Sequence, residues 1–307
     1  MVAKNSVYTI GYVPEHFSTP LFIAKNKEYF KELGLCVELH CCPGGTGEMI
    51  QKLKDKTIDV AIALTEGLIA GYANGQDFYR IIGTYVESPL CWAISTGSNA
   101  PHTSVDSLRN STAAVSRMGS GSHIMAYCLA DREGWLSESE EKKRPFRFEV
   151  LNNFKAMRDG VNDGRADFFL WENFTTKPYH DSIEVRRIGD ITPPWPAFLF
   201  AASTSLLSSA ADTQNLNNLL HALHKAANEF MQHRNGQSLN MLMEEFKYPK
   251  EDVIQWLQTV KYPGEGGMEE VNKVALENCV ESLLKAGAIE RRVHPKEIID
   301  ANIAKLI

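Results

Sequence analysis

Strand-like and helix-like segments alternate from the first residues of this chain, and that alternation constrains its fold more than any other feature. Residues 7–12, carrying Val7, Tyr8, Thr9 and Ile10, are β-branched and aromatic and read as a strand. A helix follows over 19–33, opened by Pro20 and stopped by Gly34. Strands at 35–40, 58–63 and 80–85 then alternate with helices at 48–54 and 67–73, the last closed by Asn74-Gly75. Strands separated by helices need right-handed crossovers, so an α/β fold with a mostly parallel sheet is expected.

The pattern restarts after Ser88-Pro89. Strands are expected at 91–95, 112–115, 147–151, 166–171 and 184–187. The apolar segment 197–202, which follows Pro193-Pro194-Trp195-Pro196, reads as a return crossing. Helices are expected at 213–234, 237–246, 250–260 and 268–286, the last stopped by Gly287. The expected domains are residues 1–88 with 204–307 and residues 89–203: two α/β lobes joined by a pair of strands, with C-terminal helices completing the first.

Charge and length narrow the function classes. With 307 residues the chain can build two cores, and 44% hydrophobic with 23% charged residues is ordinary for a soluble protein. A net charge of −6 leaves no basic stripe for nucleic acid or an anionic membrane. The cluster Lys142-Lys143-Arg144 follows Glu138, Glu140 and Glu141 and reads as a solvated loop. Neither a signal peptide nor a run of ~18–20 apolar residues is visible, so a cytoplasmic chain with no membrane insertion is expected. The six cysteines lack C-x-x-C spacing, and adjacent Cys41-Cys42 make a poor disulfide and a poor metal clamp, so reduced thiols are expected. His221 and His224 share a helix face but have no third ligand, and the loop 263–267 lacks the Lys-Ser/Thr of a phosphate loop. No metal and no cofactor are expected.

Two turns carry the binding chemistry. Ser116-Arg117-Met118-Gly119-Ser120-Gly121-Ser122-His123 joins a strand to a helix, and Gly44-Gly45-Thr46-Gly47-Glu48 does the same earlier. At such junctions unpaired backbone N–H groups and the helix dipole favour a polar or anionic ligand, and small residues let it approach. The bland alternative is a well-capped helix start.

These segments, in this order, resemble a known family. Tyr12-Val13-Pro14-Glu15-His16, Pro20-Leu21-Phe22-Ile23-Ala24 and Tyr29-Phe30-Lys31-Glu32-Leu33-Gly34-Leu35 are similar to the opening of ABC-type nitrate, sulfonate and thiamin-precursor substrate-binding proteins. Gly44-Gly45-Thr46, Asp59-Val60-Ala61, Gly119-Ser120-Gly121-Ser122 and Gly164-Arg165-Ala166-Asp167-Phe168 leading to Trp171-Glu172 continue the match. The resemblance implies the two-lobed type II periplasmic-binding fold, a ligand in the cleft between lobes, and hinge closure around it. The same family includes the fungal thiamin-pyrimidine synthase. Its essential lysine and histidine fall on Ala63 and Gly67 here, and its cysteine-rich strand on residues 196–201, which hold no cysteine. That activity is not expected.

By analogy of fold the ligand residues are His16 and Phe17 from the first loop, beside Glu15, then Thr46, Thr65 and Glu66, with Glu87 and Ser88 at the hinge. The second lobe adds Ser116, Arg117, Gly119, Ser120, Gly121, Ser122, Asn153, Phe154, Trp171 and Glu172, and Trp195 completes the set. Glu66 and Glu87 read equally as solvated carboxylates, and Trp171 and Trp195 as core aromatics. Aromatic plates with flanking donors suit a flat or organic-anion ligand. Several carboxylates beside one cation, Arg117, favour a pyrimidine-like or zwitterionic molecule over a simple inorganic anion. Two function classes follow: a small-molecule carrier, scavenger or sensor, or an enzyme using His16 or Glu66 as its acid–base group.

Overall fold

Apolar runs of different lengths place the strands of the computed structural model, which describes residues 7–136 and 145–307. The charged cluster at 142–144 lies outside the described residues. By contact density the chain divides into two units, residues 1–88, 195–279 and 292–307 in one and residues 89–194 and 280–291 in the other.

In the first unit β1 (Val7–Tyr12), β2 (Cys36–Cys41), β3 (Val60–Leu64), β4 (Tyr79–Val86) and β10 (Phe198–Ser203) form one sheet, ordered β2-β1-β3-β10-β4. Burial tracks position. Central β10 is buried at every residue, whereas edge strand β2 alternates between exposed and half-buried positions. β1 runs parallel to β2 and β3, but β10 is antiparallel to both neighbours. The sheet is therefore mixed rather than mostly parallel, and residues 195–203, grouped above with 89–203, belong with the first unit because β10 hydrogen-bonds there. Helices α1 (Thr19–Asn26), α2 (Tyr29–Glu32), α3 (Thr46–Lys54), α4 (Thr65–Ala73), α8 (Thr204–Leu207), α9 (Ala210–Gln232), α10 (Gln237–Phe246), α11 (Lys250–Thr259) and α13 (Pro295–Ile298) complete it.

The single helix expected at 19–33 is two. Glu28 adopts a left-handed conformation at φ 59° and separates α1 from α2. The break turns Lys27 and Tyr29 toward α9, where both hydrogen-bond Glu229. Gly34 and Gly287 do adopt the positive φ that stops a helix, at 75° and 63°. At the other end, α12 (Lys273–Lys285) starts later than expected because Glu270–Val271 forms a short strand, β11, parallel to β12 (Lys305–Leu306).

In the second unit β5 (Trp92–Gly97), β6 (Thr112–Val115), β7 (Arg147–Val150), β8 (Phe168–Glu172) and β9 (Val185–Ile191) are ordered β7-β6-β8-β5-β9. β5 is the antiparallel strand here, paired with β8 and β9. Helices α5 (Gly121–Arg132), α6 (Phe154–Asn162) and α7 (Asn173–Asp181) accompany the sheet, and Met157 and Val161 of α6 bury against Ala114, Phe169 and Val185.

The six cysteines are free, and Cys36 and Cys41 are exposed. Among the described residues no helix is long and apolar enough to cross a membrane, and no cluster of His, Cys, Asp or Glu is arranged to hold a metal.

Gly83 of β4 shows how closely the C-terminal segment approaches the first sheet. A Cβ there would lie 2.2 Å from the carbonyl oxygen of Met268, the atom that accepts the Thr84 N–H at 2.7 Å. Backbone cannot give way as a side-chain tip can, so Gly83→Ala should destabilise the chain by about 2–3 kcal/mol. Equilibrium urea denaturation checks this, and a loss below about 0.5 kcal/mol, within ordinary surface effects, would refute the close approach.

Candidate functional site

The first unit buries a carboxylate where β3 turns into α4. Glu66, in the first turn of α4, is 2% exposed and accepts the indole N–H of Trp195 on Oε2 at 3.0 Å. Its other oxygen, Oε1, is buried with no hydrogen-bond partner among the described residues. Burial pushes the carboxyl up to about 7 against opposing hydrogen bonds from its own backbone N–H and from the indole. Glu66 is thus no solvated carboxylate, and Trp195, 2% exposed, is no exposed plate despite its flanking prolines.

Backbone contacts hold this pair. Thr65 donates its N–H to the carbonyl of Ala197 at 3.2 Å and its hydroxyl to that of Pro196, which ties residues 195–197 to the start of α4. Thr46, at the N-terminus of α3, accepts the Leu64 N–H on Oγ1 at 3.1 Å and presses its methyl group on Gly67. A Cβ at Gly67 would lie 2.6 Å from Thr46 Cγ2, so a histidine at that position would meet Thr46.

Other expected residues of this unit serve packing. His16 is 1% exposed, with Phe17, Trp256 and Tyr248 ring centroids at 4.4, 4.6 and 5.6 Å, and burial lowers its imidazole to about 3. A ring held neutral in an aromatic cluster is no acid–base group at neutral pH, which corrects that candidate role. Phe17 is buried too, and its carbonyl accepts hydroxyls of Tyr85 and Tyr262 at 2.8 and 2.9 Å. The Ser88 hydroxyl accepts the Lys261 N–H at 3.0 Å, while the Glu87 side chain is exposed.

In the second unit the turn from Ser116 to Ser122 is closed largely by itself. Ser120 caps α5 through the His123 N–H and lies 2.9 Å from the Ser122 hydroxyl, which in turn accepts the Ser116 N–H at 3.2 Å. Gly119, at φ 76°, gives its N–H to His123 Nδ1 at 3.3 Å. Several donors counted on for a ligand are therefore spent on the cap. Gly121 opens α5 and is half-buried. Arg117 differs: half-buried, its guanidinium has no hydrogen bond or ion pair among the described residues, and burial lowers its pKa.

The remaining residues of this unit divide the same way. Asn153 is exposed and caps α6 by accepting the Ala156 N–H at 2.9 Å. Phe154 stacks on Trp171 at 5.1 Å and 16°, both half-buried, with Arg158 over the Phe154 ring at 4.5 Å. Glu172 repeats the Glu66 arrangement at the β8–α7 junction: buried, raised to about 7 by desolvation, and bonded to the Thr175 N–H at 2.6 Å. His123, 6% exposed with Nδ1 occupied, was read in sequence only as the end of the turn. Its signal was its position one turn into a capped helix.

The solved structure of the Candida albicans CA3427 gene product, described as defining a new family with the generic periplasmic-binding-protein fold, is 31% identical, covers 98% of both chains and gives a TM-score of 0.87. The chain belongs to this Ca3427-like family. A model described as Ca3427-like PBP matches residues 92–191, and one described as NMT1-like family matches residues 3–88. The fold of this Ca3427-like chain is accordingly the α/β, two-lobed type II periplasmic-binding-protein fold, with two mixed five-strand sheets. The alkanesulfonate-binding protein SsuA from Xanthomonas axonopodis pv. citri, bound to MOPS, shares it at 17% identity, 97% and 99% coverage and TM-score 0.76. The nitrate-binding protein NrtA from Synechocystis PCC 6803 does so at 16% identity, 97% and 87% coverage and TM-score 0.72. No curated protein sequence matches the chain.

The raised carboxyl of Glu66 links stability to pH. Its folded value of about 7 exceeds the ordinary 4.5, so between these the folded state holds a proton that the unfolded state has lost. Stability contributed by this group is present at low pH and is lost as pH rises through that window, by up to about 3 kcal/mol. Glu66→Gln removes the titration. Urea denaturation should find the variant within about 1 kcal/mol of the parent at pH 5 and more stable by about 2–3 kcal/mol at pH 8. Equal stability at both pH values would show that the carboxyl is not desolvated.

Proposed function

We propose that the chain is a small-molecule binding protein, a carrier, scavenger or sensor, whose ligand presents an N–H donor to Glu66. The observation that carries this reading is the Oε1 oxygen of Glu66, buried without a partner beside the Trp195 indole. A buried acceptor left unmade costs about 1–3 kcal/mol, which a ligand donor recovers. A carboxyl near its titration point accepts from an exocyclic amine and donates to a ring nitrogen, the edge that an aminopyrimidine offers. An aminopyrimidine or an amino acid derivative offers that donor; a bare inorganic anion gains nothing from Glu66. That the sulfonate and nitrate binders share the fold supports small-molecule binding as the class.

A second reading, an enzyme on the same residues, is favoured by the Glu66 carboxyl alone, since a value of about 7 suits general acid–base work. Recovery of the ligand unchanged after long incubation supports binding, and a transformed product supports the enzyme.

A thermal-shift screen of aminopyrimidines, their phosphates, amino acids, sulfonates and nitrate should find stabilisation only with compounds carrying an N–H donor. At about 100 times its dissociation constant a ligand stabilises by about 2.7 kcal/mol, a shift of several degrees. Calorimetry on the best compound should then show at least roughly tenfold weaker binding in Glu66→Gln. Stabilisation by nitrate or sulfonate alone, or undiminished binding in Glu66→Gln, would overturn the assignment.

A further inference from the structure

A cavity lies entirely within the second unit, against α5 and the start of edge strand β7. Its volume is about 610 Å³, within the range of small-ligand sites. His123 and Tyr127 line it from α5, Phe146, Arg147 and Phe148 from around β7, and Met118 from the turn. None of the residues proposed above to meet the principal ligand lines it.

Three features give this cavity a chemical preference. The first is a donor. His123 Nδ1 accepts the Gly119 N–H, so the neutral ring carries its hydrogen on Nε2, and Nε2 is buried with no hydrogen-bond partner among the described residues. Burial keeps the ring neutral, with a value lowered to about 4. The second is shape. His123 meets Phe148 at 4.5 Å and Tyr127 at 5.2 Å, both edge to face, and Tyr127 meets Phe148 at 5.4 Å, so the three rings pack together as one aromatic wall of the cavity. The third is charge. Arg147 is exposed, bonds Thr112 Oγ1 through Nε at 3.2 Å, and forms no ion pair among the described residues, and no carboxylate is among the described residues that line the cavity. Met118, 56% exposed, adds an apolar lip.

We infer that this cavity is a second ligand site, selective for a planar aromatic carboxylate whose ring packs against the wall formed by His123, Tyr127 and Phe148. The carboxylate accepts from His123 Nε2–H and from the free N–H groups of the Arg147 guanidinium, both bonds being assisted by its charge. An alcohol of the same ring gains only the weaker neutral bond and leaves Arg147 unused. A cation finds no acid among the described lining residues.

Side-chain NMR of protein labelled with 15N-histidine, titrated with 2-naphthoate and with 2-naphthalenemethanol, tests this directly. The nine histidines give few signals, and His123 is assigned by its absence in His123→Phe. Expected is a saturable shift of the His123 Nε2 signal by the carboxylate, with the alcohol binding about tenfold more weakly or worse. Calorimetry should find 2-naphthoate affinity reduced about tenfold in His123→Phe, which keeps the aromatic edge, and in Arg147→Gln. Arg147 is exposed, so that variant keeps the test valid if His123→Phe fails to fold. In Glu66→Gln the His123 response should persist. No saturable shift at His123, undiminished affinity in Arg147→Gln, equal binding of carboxylate and alcohol, or loss of the response in Glu66→Gln would each overturn the proposal.

Discussion

The insertion of β10 between β3 and β4 is the constraint on which the first unit depends. β10 pairs antiparallel with β3 from Phe198 against Leu64 to Ala202 against Val60, and with β4 on its other side. Pro193, Pro194 and Pro196 have no N–H to donate, so the ladder cannot extend backward through them. The chain before Phe198 therefore remains a strap, held by Thr65 to the carbonyls of Pro196 and Ala197. That strap sets the Trp195 indole on Glu66. Without the strand the indole loses its position, and the carboxyl loses one of the hydrogen bonds that temper its burial.

Burying carboxyls at strand–helix junctions works against stability. Glu66 and Glu172 both sit in the first turn or cap of a helix, where the dipole favours negative charge, yet desolvation outweighs that help and raises both to about 7. The two differ in what satisfies them. Glu172 takes the Thr175 N–H as a helix cap, a structural use, whereas Glu66 keeps one oxygen unpartnered.

The strand–helix alternation was legible in the sequence because it rests on local pattern, and so were the stops at Gly34 and Gly287. What escaped depends on contacts far apart in the chain. The mixed sheets follow from β5 and β10 entering from distant segments, which no window of residues reveals. The break at Glu28 answers to Glu229, two hundred residues away. Among the expected site residues, Glu66 and Glu87 are placed alike by analogy of fold, and only burial separates Glu66 from exposed Glu87. His16 looked like a loop histidine until Tyr248 and Trp256 closed over it. The turn at 116–122 was found for its small residues, whose hydroxyls turn out to serve the cap.

The two sheets share one plan, β2-β1-β3-β10-β4 and β7-β6-β8-β5-β9, but they draw on the chain differently. Every strand of the second sheet lies within residues 92–191, whereas the first sheet must wait for residues 198–203 to fill its fourth position. During synthesis the ribosome therefore delivers a complete second sheet while the first still has a gap between β3 and β4, with two apolar strand edges uncovered. Closing that gap brings together segments more than a hundred residues apart, the slow kind of pairing. The interval between the emergence of β4 and of β10 is then the stage at which a nascent chain has most need of a chaperone.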